Sequence, residues 1–176
     1  MWKHGFDMHR VFLSAPGDLS ADREAVRSAI AKVNQDLAMP ERILLVAVGL
    51  PDDDQIVGYR AAVAQNIRES AYFVQIFQDD WGPKNLFRKM FYLALECRDD
   101  AALPMSEAII LLKDAPHESE PEVLAFRKEL EDHADVRIFR YRKPEELAAQ
   151  LAPVFEAWVQ AIRGQPQHAA GAAASE

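Results

Sequence analysis

The side chains equipped for chemistry fall in two short stretches. In "VFLSAPGDLS", residues 11–20, an apolar run ends in Ser14, and a turn carrying Gly17 and Asp18 leads into a run with helical spacing. In "DDWG", residues 79–82, Asp79 and Asp80 precede Trp81. A hydroxyl at a strand end can contact a ligand, and the free amides at a helix start can receive an anion such as a phosphate. The two aspartates can accept hydrogen bonds from sugar hydroxyls, and the Trp81 ring can stack on a base or a nicotinamide. Each also has a plainer use. Ser14 can bond to neighbouring backbone, Asp18 or Ser20 can cap the helix, and paired aspartates before Trp-Gly are ordinary turn composition. Trp81 can close the sheet edge. Arg23 and Arg27, one turn apart, either line a solvated face with Glu24 or meet an incoming phosphate.

The elements that would position these residues alternate regularly. Short β-forming runs at 10–14, 42–49, 72–78, 107–114 and 136–141 are separated by helical patterns at 20–37, 58–69, 86–98, 121–133 and 144–163. The run "RILLVAVG" is continuously apolar, as expected of a parallel strand covered on both faces. The last helix shows one stripe of Leu147, Leu151, Val154, Phe155, Trp158 and Ile162. Five strands alternating with five helices predict an α/β three-layer sandwich, with a five-stranded parallel sheet in the flavodoxin-like order 2-1-3-4-5. Ligands of such sheets lie beyond the strand carboxyl ends where the strand order reverses. Both polar stretches would meet there.

Bulk properties narrow the function classes. The 176 residues, 49% hydrophobic, suit one domain, expected over 9–163, with an N-terminal extension over 1–8. The small, polar tail over 164–176 is expected to be disordered and reads as a natural end. Acidic residues outnumber basic ones by 28 to 20, for a net charge of −8, so no nucleic-acid partner is expected. Cys97 is the lone cysteine, which rules out an internal disulfide and fits a reducing, cytoplasmic setting. The five histidines are scattered without ligand spacing, so no metal site is predicted. No stretch has the length and apolarity of a signal peptide or a membrane span, and there is no GxxxxGK[ST] phosphate loop.

The opening "VFLSAPGDLSADREAVRSAIAKVN" resembles the start of a bacterial domain family of unknown function, which opens V-F-x-S-S-P-x-D before a Glu- and Arg-rich helix. "QNIRESAYFVQIFQDDWG" is similar to that family's third strand and turn, with Ser70-Ala71 where the family has Cys-Asp. "LLKDAP" at 111–116, "FRKEL" at 126–130 and the final Tyr-then-helix segment are similar too, so the resemblance spans residues 9–160. The family looks like a relative of Toll/interleukin-1 receptor (TIR) domains and nucleoside deoxyribosyltransferases. It often forms the N-terminal module of signalling or defence ATPases.

The resemblance implies a test for catalysis. In the TIR and deoxyribosyltransferase relatives a Glu on the third helix, four residues before a small Ala, supports cleavage of an N-glycosidic bond. A carboxylate suits that role because positive charge develops on the sugar in the transition state. Here the helix reads "MFYLA", and four residues before Ala94 stands Met90. A thioether neither stabilises that charge nor holds a proton. Glu96 lies about 240° around the helix from Met90 and does not replace it. Met90 also falls on the stripe Phe87, Met90, Phe91, Ala94, Cys97, consistent with core packing.

The third helix is apolar nearly all round, so it is either deeply buried or shows a second face to a partner. The resemblance to TIR domains implies assembly, through Phe91, Tyr92 and Leu93, with a second copy or another protein. The expectation is a non-catalytic interaction or nucleotide-sensing module, with a cleft formed by Ser14, Gly17, Asp18, Asp79, Asp80, Trp81 and Met90. No cofactor is expected, and the ligand would be NAD or another nucleotide. The alternative is an NAD or nucleoside N-glycosidase whose carboxylate is Asp79, Asp80 or a residue of another chain.

Overall fold

Strand β3 (Tyr72–Phe77), "YFVQIF", is buried along its whole length, as the middle strand of a doubly covered sheet must be. The computed structural model describes residues 5–16, 18–49, 60–82 and 85–166. Within them the chain alternates as β1 (Asp7–Ser14), α1 (Ser20–Val33), β2 (Ile43–Gly49), α2 (Arg60–Arg68), β3 and α3 (Leu86–Asp99). It continues through β4 (Glu107–Lys113), α4 (Pro121–Glu131), β5 (Arg137–Tyr141) and α5 (Leu147–Arg163). All four strand pairs are parallel, in the order β2-β1-β3-β4-β5. This is the flavodoxin-like α/β sandwich that the alternation of periods predicts.

Period-two alternation divides the core into two layers. Val11, Leu13, Val74, Ile76, Ile109 and Leu111 face α1 and α5, where they pack on Val26, Ile30, Leu151, Phe155 and Trp158. Phe12, Phe73, Phe77, Ile110 and Leu112 face the other way, onto Ile67, Phe87, Met90, Phe91, Phe126 and Leu130 of α2, α3 and α4. The aromatic contacts are ordered. Phe12 stacks on Phe73 at 5.7 Å, and Tyr72 stacks on Trp158 at 4.0 Å.

Several boundaries differ from the sequence expectation. β1 begins at Asp7, inside the expected extension, because Asp7 and Met8 already pair with Ile43 and Leu44 of β2. α1 does not end simply. It runs into a wider turn over Asn34–Ala38 and a tight one over Met39–Glu41, and Arg42 (φ 58°) then turns the chain into β2. The reason for the widened turn is visible at Asn34. Its carboxamide accepts from Leu45 N–H at 2.9 Å and donates to Leu45 C=O at 2.8 Å, closing the outer edge of β2 as a neighbouring strand would. The expected disordered tail lies outside the described residues from 167 onward. No helix among the described residues is long and apolar enough to cross a membrane.

Candidate functional site

β1 ends at Ser14, opposite Gln75, whereas β3 continues through Ile76 and Phe77. The sheet therefore steps down at its order-reversal point, and the two polar stretches flank that step. Ser14 is fully buried, and its Oγ has no hydrogen-bond partner. Gly17 lies outside the described residues. Asp18 is exposed.

The expected cap of α1 by Asp18 or Ser20 is not formed. Leu19 occupies the capping position, without a side-chain bond, and Ser20 is already helical. The first turn instead holds Asp22, a buried carboxylate that complements the positive helix end. Asp22 accepts from the Tyr141 hydroxyl at 2.7 Å and from Lys113 Nζ at 3.1 Å. Burial, followed by the bond to Asp22 and that carboxylate's charge, pushes the Tyr141 hydroxyl well above its usual range. Arg23 is not on a solvated face, because its guanidinium is buried and directed at the carbonyls of Ala15 and Pro16. Arg27 lies 4.0 Å from Glu24 on the exposed side.

After β3, Asp79 and Asp80 are both exposed and do different things. Asp80 accepts from Gly82 N–H at 2.7 Å, which shapes the turn. Gly82 sits at φ 69°, and a Cβ there would lie 2.3 Å from the Phe87 ring, so the turn requires glycine. Asp79 has its pKa raised, first by partial desolvation and then by the charges of Asp18, Glu118 and Asp80, with Arg127 opposing. The loops after β1, β3 and β4 thus bring four carboxylates to one end of the sheet. Arg127 reaches that end from α4, donating to Gln78 C=O at 2.6 Å and to Lys113 C=O at 2.9 Å. Among the described residues no group of three or more His, Cys, Asp or Glu side chains is arranged to hold a metal ion.

Three expected site residues are placed elsewhere. Trp81 does not project into the cleft: its ring meets Phe126 edge-on at 5.3 Å, with Arg88 over its face at 5.6 Å. Met90 is 3% exposed, inside the layer under α3. Phe91 is 1% exposed and cannot meet a partner, because its helical position points it at the sheet. Tyr92 and Leu93 are half-buried and line a shallow groove of about 340 Å³ with Asn85, Arg88, Lys89 and Glu96.

Four residues at this end were not singled out from the sequence. Gln75 is the one polar residue in "YFVQIF", and that interruption of an apolar strand was the available signal. Asp22, Lys113 and Tyr141 lie in three stretches far apart in sequence, and no local pattern joins them.

No protein-family model matches the chain, and no curated protein is similar to it in sequence. Among solved structures the chain is similar to a metal-soaked flavodiiron core from Synechocystis sp. PCC6803, at 12% identity and a TM-score of 0.45. That similarity covers 92% of this chain and 37% of the other, so this chain spans little more than a third of its neighbour's length.

Proposed function

We propose that this chain is a non-catalytic, TIR-like module of bacterial signalling or defence, which senses a nucleotide-like ligand at the β1/β3 step and acts by assembling with a protein partner. The observation that carries this reading is Met90. Where the resemblance places a carboxylate, a thioether packs in the same layer as Phe87 and Phe91. It supplies neither a negative charge for an oxocarbenium-like transition state nor a proton. Glu96 is exposed on a different side of the helix. The half-buried Tyr92 and Leu93, beside Arg88 and Lys89, support α3 as the surface that meets the partner.

One observation favours a second reading, an N-glycosidase using Asp79. Its raised pKa, with Asp18, Glu118 and Asp80 nearby, is the kind of environment that prepares a carboxyl group for acid work. Incubating the purified chain with NAD and following nicotinamide release separates the two. The first reading expects no release. Turnover that disappears in Asp79→Ala or Asp80→Ala would replace it with the second.

A further inference from the structure

A cleft of about 670 Å³ opens at the amino ends of β3 and β4, the end of the sheet opposite the β1/β3 step. Tyr72 and Glu107, the first residues of those strands, line it. Arg98 and Asp99 reach it from the last turn of α3, Trp158 from α5 and Asp135 from the turn before β5.

Tyr72 is 2% exposed, and burial followed by the charge of Glu107 keeps the proton on its hydroxyl. That hydroxyl lies 3.5 Å from the Trp158 carbonyl, whereas O–H···O bonds run at roughly 2.5–3.0 Å. A buried polar group of the cleft wall is thus left without a bond of normal length, and native proteins keep few such groups unless something bound completes them. Glu107 also has capacity to spare. It accepts from Arg137 Nε at 2.5 Å, from Arg137 Nη2 at 2.9 Å and from Trp158 Nε1 at 2.5 Å. A carboxylate offers about four acceptor positions, so one remains, on Oε1.

Charge in the cleft selects the same kind of ligand. Arg98 and Arg137 are the cations there, and both are engaged. Arg98 donates from Nε to Asp99 at 2.9 Å and from Nη1 to the Asp135 carbonyl at 3.0 Å, and Arg137 is spread over both oxygens of Glu107. Among the described residues the Asp135 carboxylate has no charged partner. α3 and α5 both end at this cleft, and the last carbonyls of a helix lack intrahelical donors and carry the negative end of its dipole. Acceptors and negative charge therefore predominate among the groups left over. An anion entering here would meet three carboxylates and two helix ends of its own sign.

We infer that this cleft binds an organic cation with N–H donors, a primary amine or guanidinium on a short chain, with Tyr72 Oη, Glu107 Oε1 and the Asp135 carboxylate as its acceptors. The cleft and the β1/β3 step lie at opposite ends of the sheet, so the two sites stand or fall separately.

The test is titration calorimetry on the full chain at low ionic strength, with putrescine and agmatine set against the bis(trimethylammonium) analogue of putrescine, which keeps both charges and has no N–H. The N–H cations should bind at least about tenfold more tightly than the analogue. Asp135→Asn and Tyr72→Phe should each weaken putrescine about three- to tenfold, with the far-ultraviolet circular dichroism unchanged. Glu122→Gln removes the same charge from the first turn of α4, at the other end of the sheet, and should leave the affinity as it is. Equal weakening by Asp135→Asn and Glu122→Gln would reduce the binding to diffuse attraction toward a chain of net charge −8, and overturns the inference. Equal affinity for the bis(trimethylammonium) compound overturns it too, because the acceptors then play no part. No heat of binding at about 10 mM putrescine or agmatine removes the site altogether.

Discussion

The Tyr141 hydroxyl donates to Asp22 Oδ1 at 2.7 Å, joining the last strand to the first helix across 119 residues of sequence. Lys113 Nζ completes the arrangement at 3.1 Å. These bonds pin the start of α1 to the ends of β4 and β5. Tyr141→Phe removes the neutral donor and leaves a buried carboxylate short of a bond. It should cost about 1–3 kcal/mol in urea unfolding, with the m-value unchanged.

Alkaline pH should weaken the fold through Tyr72. Burial, then the charge of Glu107, pushes its pKa from 10.0 to about 12. A folded-state pKa above the unfolded value means the folded chain holds the proton more tightly. The resulting stability is complete below pH 10 and is lost as pH rises through about 12. The loss is about 2–3 kcal/mol for a shift of this size. Tyr72→Phe keeps the ring against Trp158 and should flatten that part of the stability profile.

Asn34 closes the edge of β2 with two bonds to Leu45. Asn34→Ala frees both the amide and the carbonyl at a buried position, and should lower stability by about 1–3 kcal/mol. It should also speed hydrogen exchange at the Leu45 amide. Since β2 reads "ILLVAVG", without a charge or proline, the variant should aggregate more readily on heating, which light scattering can follow.

Assembly through α3 predicts that Tyr92→Glu or Leu93→Glu shifts the sedimentation profile toward smaller species without altering the far-ultraviolet circular dichroism. Both side chains are only half-buried, so the folded chain tolerates the charge. Identical sedimentation of parent and variants would remove α3 as the assembly surface. Phe91→Glu is no substitute, because Phe91 lies in the core and its replacement unfolds the layer beneath it.

Much of the architecture was legible in local pattern. The alternation of short apolar runs with helical stripes led to the parallel sheet, and Phe87, Met90, Phe91, Ala94 and Cys97 do form the buried face of α3. The candidate site was less legible. Trp81 looked like a stacking platform, but Phe126 and Arg88 occupy it, and Phe126 comes from α4, far along the chain. Asp18 and Ser20 looked like caps, but the helix begins at Ser20 itself, two residues past Asp18, and Leu19 takes the capping position.

The sequence by itself determined which segments are strands and helices and which face of each is apolar, because these follow from side-chain type and period along the chain. Only the tertiary structure decided which polar groups meet. Ser14 stands beside Gln75 because β1 and β3 pair in one register. Asp22 meets Lys113 and Tyr141 because α1 packs across the ends of β4 and β5. A hydrogen bond is made over about 3 Å between groups placed by separate elements, so its partner is set by how those elements dock and not by anything written in either segment.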